Sequence, residues 1–330
     1  MPPSTPHPAS LSGVTLEEVR LAHDRIRARI RRTPVLTSSL LDARSGASLF
    51  FKCENFQKTG VFKARGALNA VLSLTDAEAS HGVATHSSGN HAAALSWAAG
   101  LRGIPATVVM PRTASPNKIA SVERYGGRII FCEPNHKARE EAAEKIIRET
   151  GAAMIHPYND LRIIAGQATA ALELLQDVPD LDAVVCPVGG GGLLAGTAVV
   201  AKAIQTNIRV LGGEPAGAAD ASLSLRSGTR QPVDQPASIA DGLLAFVGDL
   251  TFAIIRRQVD GIGTVTEEAI RAAVRQLLDV LKIVVEPSGA VGYAAVAQGE
   301  MDVAGQRVGV ILSGGNLDFE RAPWAKLLSA

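Results

Sequence analysis

The segment Thr59-Gly60-Val61-Phe62-Lys63-Ala64-Arg65-Gly66 decides how the chain can fold. An apolar run from Ala47 to Cys53 precedes it and predicts a short buried strand, and Ala67-Leu68-Asn69-Ala70-Val71 continues it as a helix. Lys63 is therefore expected in the first turn of a helix, where unpaired backbone N–H groups suit an anion. A lysine there can be a phosphate contact, a solvated surface charge or an amine nucleophile that forms a Schiff base.

Strand-like and helical runs alternate along the rest of the chain, which is the rhythm of βαβ units. In a first series, strands are predicted over residues 82–86, 106–110, 128–132 and 153–156. One helix is predicted to start at 90, a second to start at 116, and a third to follow the strand 128–132 and end near 150. In a second series, strands are predicted over 183–187, 209–213 and 308–312, and helices over 165–175, 193–204, 267–281 and 287–296. The predicted fold class is α/β with open parallel sheets.

The change between the two series near residue 159 predicts a domain edge. We expect a small domain over residues 77–159 and a large domain made of 1–76 and 160–330, with residues 1–13 as a disordered tail. An active site would then lie in the cleft between the two α/β units.

Composition argues against several functional classes. The 33 basic and 32 acidic residues leave a net charge of +1, so nucleic-acid and membrane-surface binding are not expected. No apolar stretch reaches the length of about 18 residues that predicts a membrane span, and the N-terminus lacks the basic and apolar regions of a signal peptide. The three cysteines have no CxxC spacing, as in reduced cytosolic proteins. We therefore predict a cytoplasmic protein.

Gly189-Gly190-Gly191-Gly192 stands between a predicted strand and a predicted helix. Four consecutive glycines weaken both element types, so their use is a bare backbone whose N–H groups surround an anion at the helix N-terminus. No Lys-Ser/Thr pair follows, which excludes a Walker loop. A nucleotide-binding turn, with Glu214 as the acid about 20 residues on, and a merely flexible turn remain alternatives.

Two polar loops also follow predicted strands. Ser87-Ser88-Gly89-Asn90-His91 offers hydroxyls and an amide at a helix start, a site for a carboxylate or phenolate oxygen, although Asn90 could simply cap the helix. Ser313-Gly314-Gly315-Asn316 follows the last strand. Glu286 precedes a helix, where it could be only a favourable N-terminal charge. The sequence contains no zinc-ligand spacing and no HExxH or GxSxG motif. The lysine, the tetraglycine turn and the two polar loops together suit an aldehyde cofactor with a phosphate tail.

Together, Gly60–Ala67, Ser87–His91, Pro187–Leu193 and Ser313–Asn316 resemble the pyridoxal-phosphate enzymes of fold type II, the tryptophan synthase β-like architecture. Within them the chain is most similar to the threonine/serine dehydratase and serine racemase branch, over nearly its whole length from about residue 14. The resemblance implies two open parallel-sheet α/β domains, with pyridoxal phosphate bound by the large one and the active site in the cleft. It also implies a homodimer.

The resemblance assigns a role to each motif. Lys63 would be the Schiff-base lysine, and Phe62 would lie against the pyridine ring. Asn90 would hydrogen-bond the phenolic oxygen, Gly189 to Gly192 would hold the phosphate, and Ser313 would face the ring nitrogen. Because a serine does not stabilise a protonated pyridinium, prompt β-elimination is favoured over a long-lived carbanion. The residues implied to bind the substrate carboxylate are Ser87, Ser88, Gly89, Asn90 and His91.

The implied reaction converts a β-hydroxy-α-amino acid into a 2-keto acid and ammonia, with Lys63 taking the Cα proton as general base. Ser88 matches the position that serves racemases as the acid or base on the opposite face, so some racemisation is also implied. The segment from Glu214 to Asp220 resembles the family's metal loop: Glu214 and Asp220 would supply carboxylates, and Ala218 a carbonyl, to Mg²⁺ or Ca²⁺. A monovalent ion, or a solvated loop without metal, is the alternative.

Two departures from the family pattern bear on the substrate. Val61 stands where serine is common, and Tyr158 stands where a small polar residue, often asparagine, follows His-Pro. Both make the pocket less polar or bulkier, which favours threonine or phenylserine over serine. Arg139 points the other way, because it matches a position that could pair with a side-chain carboxylate, as in 3-hydroxyaspartate; it could equally be an exposed helix arginine.

Three rival functions remain open from the sequence. The first is an amino-acid racemase that uses Lys63 and Ser88 on opposite faces. The second is a β-replacement synthase of the cysteine synthase kind, which would need an added nucleophile. The third is a non-catalytic ligand-binding protein on the same scaffold.

Overall fold

The computed structural model describes residues 13–87 and 89–317, except for the side chains at positions 136, 137 and 140. Apart from Gly13, the predicted disordered tail lies outside the described residues. The strands are β1 (Val35–Leu36), β2 (Ser48–Cys53), β3 (Val83–His86), β4 (Ala106–Pro111), β5 (Arg128–Cys132), β6 (Ala153–Met154), β7 (Ala183–Pro187), β8 (Arg209–Pro215), β9 (Gly261–Val265) and β10 (Arg307–Leu312).

These strands form two sheets, which confirms the predicted fold class. The larger has the order β1-β2-β10-β7-β8-β9, parallel throughout except for β1, which pairs with β2 antiparallel. The smaller has the order β5-β4-β3-β6 and is parallel throughout. All strands of the smaller sheet fall within residues 83–154, while the domain boundaries at 77 and 159 stay predictions.

Helices connect the strands and cover the sheets. They are α1 (Leu16–Ile26), α2 (Ser39–Ser45), α3 (Lys63–Ser73), α4 (Asp76–Ala79), α5 (Asn90–Arg102), α6 (Pro116–Arg124), α7 (His136–Thr150), α8 (Leu161–Asp177), α9 (Gly192–Ile204), α10 (Asp220–Ser227), α11 (Asp249–Gln258), α12 (Glu267–Gln276) and α13 (Pro287–Ala297). One apolar core joins α1, α8, α9 and α11 to the larger sheet, and another joins α12 and α13 to it. Covered on both sides, the parallel strands are short continuous apolar runs, as expected for buried sheets.

Helix α3, which begins at Lys63, packs between the two sheet units. It contacts α8 on one side and α5 on the other. Its approach to α8 is close, because a Cβ on Gly166 would lie 2.6 Å from the Cα of Gly66. The first turn of α3 is therefore held at the junction of the two units.

A fully buried cluster of charges lies two residues beyond Lys63. The guanidinium of Arg65 donates to Glu54 (Nε–Oε2, 2.7 Å) and to Glu173 (Nη2–Oε2, 2.7 Å). Lys52 donates to Glu173 as well (Nζ–Oε2, 2.8 Å). Two cations thus face two carboxylates, and the cluster ties α3, α8 and β2 together. We call these four residues the buried charge cluster.

Most predicted elements are present, with several differences. Helix α8 starts at Leu161, four residues before its predicted start, because Asp160 caps it by accepting from the backbone N–H of Arg162. The predicted helix over 267–281 ends as an α-helix at Gln276 and continues as a π-turn over Leu277–Leu281. Strand β9 and helix α11 were not predicted. None of the described helices is long and apolar enough to cross a membrane.

Candidate active site

Lys63 lies at the N-terminus of α3, at the junction of the two units. Its amine donates to the carbonyl oxygen of Pro157 (Nζ–O, 2.8 Å) and stands 5.1 Å from the ring centroid of Phe62. Desolvation lowers the pKa of the Lys63 amine to about 8. An appreciable fraction of the amine is therefore neutral near neutral pH, as an amine nucleophile requires.

The loop before Lys63 is joined to the loop after β10. The backbone N–H of Phe62 donates to the carbonyl of Ser313 (3.0 Å), and the N–H of Gly315 donates to the carbonyl of Gly60 (2.9 Å). Between these bonds, Val61 forms an antiparallel bridge with Gly314. Gly60 has a φ of +78°, and a side chain there would collide with Asn316. The structure thus brings the predicted cofactor residues Phe62, Lys63 and Ser313 together.

Asn90 faces this loop pair from the smaller sheet unit. It is the first residue of α5 and not its cap, since Gly89 holds the cap position. Its Nδ2 donates to Oε1 of Glu286 (2.9 Å), and its Oδ1 accepts from Nδ2 of Asn316 (2.8 Å). Burial, followed by the charge of Asp241, raises the pKa of the Glu286 carboxyl to about 8. Glu286 is therefore more than a favourable charge at the start of α13.

The four glycines form a bare turn at the start of α9. A Cβ on Gly189 would lie 2.8 Å from the Cα of Leu243, and a Cβ on Gly190 would collide with the ring of Tyr158. Gly191 has a φ of +87°, in the left-handed region, and Thr251 donates to the carbonyl of Gly190 (Oγ1–O, 2.8 Å). We call Gly189 to Gly192 the glycine cradle. A side chain at these positions would fill the cradle, whereas the bare backbone N–H groups suit an anionic group at the N-terminus of the helix. The cradle and the neutralisable amine of Lys63 fit an aldehyde cofactor with a phosphate tail.

The predicted carboxylate loop is only partly described. Ser88 lies outside the described residues. Ser87 is half-buried, and its hydroxyl accepts from the N–H of Gly89 (3.4 Å). His91 is buried, its Nε2 lies 3.3 Å from the carbonyl oxygen of Ile155, and desolvation lowers its pKa well below the usual range. The imidazole of His91 therefore packs within the smaller unit.

The two residues that depart from the family pattern occupy different places. Val61 is buried in the bridge to Gly314. The ring of Tyr158 packs edge-on against His156, with centroids 4.6 Å apart, and lies over Gly190. Tyr158 therefore shapes the wall of the glycine cradle.

Arg139 belongs to the first turns of α7, just beyond the carboxyl end of β5. It is half-buried, and its Nε is buried without a hydrogen-bond partner among the described residues. The same edge of the smaller sheet carries the loop that contains Ser87 and Asn90. Arg139 is thus a partly desolvated cation on the edge of the sheet where ligands bind in open α/β folds.

Glu214, Ala218 and Asp220 lie together after β8. Glu214 accepts from the backbone N–H groups of Ala221 and Ser222 (2.9 Å each), and Asp220 accepts from that of Val247 (2.9 Å). Both carboxylates are buried. Within the described ranges, no group of three or more His, Cys, Asp and Glu side chains is arranged for a metal ion.

Sequence reasoning missed three contributors to this site. Pro157 provides the carbonyl that holds Lys63, Asn316 orients Asn90, and the ion pair of Lys118 with Asp241 (Nζ–Oδ2, 2.7 Å) spans the two units. Only Asn316 carried a signal, as the last residue of the polar loop after the final strand.

Three comparisons with known proteins agree with this geometry. A family model described as "Pyridoxal-phosphate dependent enzyme" matches residues 26–314. The chain is 50% identical to a beta-hydroxyaspartate dehydratase of Paracoccus denitrificans (strain Pd 1222), over 94% of this chain and 98% of the relative. It is also 50% identical to a serine racemase of Arabidopsis thaliana, over 91% of this chain and 92% of the relative. Among solved structures, maize serine racemase superposes with a TM-score of 0.93 at 44% identity, covering 96% of this chain and 97% of that one.

Proposed function

The chain belongs to the family of pyridoxal-phosphate dependent enzymes, and we propose that it eliminates water from β-hydroxy-α-amino acids to give a 2-keto acid and ammonia. The observation that carries the proposal is the partly neutral Lys63 amine, placed at the junction of the two units with the glycine cradle and Asn90. The 50% identity to a dehydratase of a β-hydroxy amino acid supports the same reaction.

When bound, pyridoxal phosphate supplies an aldehyde carbon for amines and a ring that withdraws electrons from Cα. Gly189 to Gly192 would hold its phosphate through backbone N–H groups, and Asn90 would donate to its ring oxygen. Ser313 would face the ring nitrogen with a hydroxyl, which would not hold that nitrogen protonated and would therefore favour departure of the β-hydroxyl. The amine of Lys63 takes the proton from Cα of the substrate, for which a pKa of about 8 suits it as a general base.

The reaction is tested by mixing the holoenzyme with serine, threonine, phenylserine and threo and erythro 3-hydroxyaspartate and measuring 2-keto acid and ammonia. Release of both from at least one of them, with no added nucleophile, is expected. Turnover only with an added thiol would indicate a β-replacement synthase instead, and a bound cofactor without turnover would indicate a ligand-binding protein.

Racemisation is the second candidate, favoured by the similarity to serine racemases and by Ser88, which in the sequence matches the position of the second acid or base in racemases. A racemase with bases on both faces exchanges Cα hydrogen with solvent and returns both enantiomers. Analysis of the substrate recovered from a reaction in deuterated water distinguishes racemisation from elimination. Deuterated substrate of inverted configuration indicates racemisation, whereas unlabelled substrate of the starting configuration indicates elimination alone.

We also propose that the preferred substrate carries a second carboxylate, which Arg139 binds. The buried Nε of Arg139 has no hydrogen-bond partner among the described residues, and a carboxylate would satisfy it with a charge-assisted bond. The relative from Paracoccus denitrificans, named for beta-hydroxyaspartate, supports this choice. Threonine and phenylserine, favoured by Val61 and Tyr158, are then the weaker substrates.

Replacing Arg139 by alanine is expected to lower kcat/KM for 3-hydroxyaspartate by roughly 30-fold or more, the usual cost of leaving one charge of a buried pair unmatched. Turnover of threonine should change little, because its side chain has no carboxylate. Arg148→Ala serves as the control, since Arg148 is exposed on the same helix and pairs with Glu144 one turn away. An equal loss for both substrates, or no loss for 3-hydroxyaspartate, would show that Arg139 does not select the side chain.

We propose further that Glu214, Asp220 and the carbonyl of Ala218 bind Mg²⁺ or Ca²⁺. Two buried carboxylates stand together, Asp220 close enough to raise the pKa of Glu214, and hard oxygen ligands suit such an ion. Their backbone donors leave lone pairs free on both side chains.

A bound ion stabilises the folded protein, by about 2.7 kcal/mol at a concentration one hundred times its Kd. Metal-free protein should therefore melt at a lower temperature, and titration with Mg²⁺ or Ca²⁺ should restore the melting temperature. The shift should vanish in Asp220→Asn and persist in Asp182→Asn, where the carboxylate accepts from the backbone N–H of Arg307. A melting temperature that does not respond to Mg²⁺ or Ca²⁺ but rises with K⁺ would identify a monovalent site. One that responds to none of the three ions would exclude the site.

The homodimer and the cytoplasmic location also stay predictions. Light scattering, which measures the mass of the particle in solution, tests the homodimer.

A further inference from the structure

The two ends of an asparagine amide have nearly the same shape but opposite hydrogen-bonding character, so only its partners determine which way it points. This matters for Asn90, because its proposed role is to donate to the cofactor's ring oxygen. A reversed amide would present its own oxygen there and repel the ring oxygen.

One partner of Asn90 is anchored to a group that can only accept. Nδ2 of Asn316 donates to the backbone carbonyl of Thr59 (2.9 Å) and to Oδ1 of Asn90 (2.8 Å). Because a backbone carbonyl has no hydrogen to donate, the NH₂ end of Asn316 must face it. The same NH₂ end therefore faces Asn90, whose oxygen must be the acceptor.

The other partner completes the chain. Nδ2 of Asn90 donates to Oε1 of Glu286 (2.9 Å). Asp241 and Lys118 are the charged groups that act on this buried carboxyl, and burial raises its pKa to about 8. An ionised Glu286 can only accept, and a protonated one still offers its carbonyl oxygen, so Glu286 admits the donor end of Asn90 in either form.

We propose that Asn316 is a positioning residue that fixes the direction of the Asn90 amide, with its NH₂ group toward the cofactor, and that Glu286 accepts from that NH₂ group on the far side. One hydrogen of that group is used by Glu286, and the second remains for the ring oxygen. Asn316 and Glu286 come from the larger sheet unit and Asn90 from the smaller one, so the direction is set across the cleft. The inference rests on the proposed role of Asn90 in cofactor binding.

The sharpest variant is Asn316→Asp, which replaces the donor facing Oδ1 of Asn90 by an acceptor. It should reverse the Asn90 amide and remove the hydrogen bond to the ring oxygen. Asn316→Ala should only loosen the amide and give a smaller effect in the same direction. Asn55→Asp is the control, because the side chain of Asn55 also donates to a backbone carbonyl, that of Val284 (Nδ2–O, 3.1 Å). This variant adds the same negative charge as Asn316→Asp, at a side chain that is not hydrogen-bonded to Asn90 in the described residues.

The readout is the absorption spectrum of the holoenzyme without substrate, recorded against pH. The visible band of the bound cofactor depends on the ionised state of its ring oxygen, which the Asn90 donor stabilises. In Asn316→Asp the pKa of this transition should rise by about one unit, and cofactor affinity should fall about tenfold. Asn55→Asp should match the wild type in both, and all variants should retain the wild-type far-ultraviolet circular dichroism.

Two results would overturn the inference. The first is an Asn316→Asp spectrum that titrates like the wild type. The second is a shift of the same size when Asn316→Asp is introduced into an Asn90→Ala background, since Asn316 would then act without Asn90. The proposed reaction fails separately, through absence of keto acid release by the wild-type enzyme, because the spectrum is read without turnover.

Discussion

Lys63→Ala is expected to lower kcat/KM for elimination by about 10⁴-fold or more, since it removes both the nucleophile and the general base. Lys63 is the amine that stands at the start of α3 with its pKa lowered to about 8 by desolvation, and an alanine cannot replace either role. The measurement is steady-state 2-keto acid release by the variant saturated with added pyridoxal phosphate.

A matched control separates the chemical role from damage to the fold. Lys145→Ala removes an exposed lysine of α7 that pairs with Glu149 on the same helix, so it should keep full activity. Reduction of the wild-type holoenzyme with borohydride, followed by peptide mapping, should label Lys63. Activity of Lys63→Ala within tenfold of the wild type, or a label on another residue, would refute the assigned site.

The second large effect concerns stability. Arg65→Met leaves Glu54 and Glu173 buried, with Lys52 and the imidazole of His23 beside Glu173 alone, and breaking a buried ion pair from one side costs about 3–5 kcal/mol. We therefore expect the free energy of unfolding, measured by urea titration of the holoenzyme, to fall by that amount.

The exposed ion pair between Arg27 and Asp24 (3.3 Å) provides the contrast. Arg27→Gln should change the free energy of unfolding by only about 0–1 kcal/mol, because solvent already screens that pair. A loss below about 1 kcal/mol in Arg65→Met would mean that the buried carboxylates do not depend on the guanidinium of Arg65.

Sequence patterns predicted those elements whose signal is local. The apolar runs at β2, β7 and β10 and the Pro at the start of α6 predicted strands and a helix at or within two residues of their observed bounds. Strand β9 was missed because its five residues include Gly261 and Gly263, which weaken a strand pattern; pairing with β8 makes it a strand. Helix α11 was missed because part of its N-terminal capping is long-range: Asn159 accepts from the N–H of Leu250.

The same distinction applies to the site. The loops that contain Lys63, Asn90, Gly189 to Gly192 and Ser313 could be found because each has an unusual local composition. Their partners could not, since Asn90 and Glu286 are 196 residues apart in the sequence and meet only in the folded chain. No periodicity in either segment encodes that contact.

The order of the larger sheet has a consequence for biosynthesis. Strand β10, the last one described, lies between β2 and β7 and pairs with one edge of each. A chain still on the ribosome therefore carries two unpaired strand edges until residue 312 has emerged, and such edges invite aggregation. We expect nascent chains to depend on chaperones over this interval, and a stop codon placed before Arg307 to yield insoluble protein instead of a weakened enzyme.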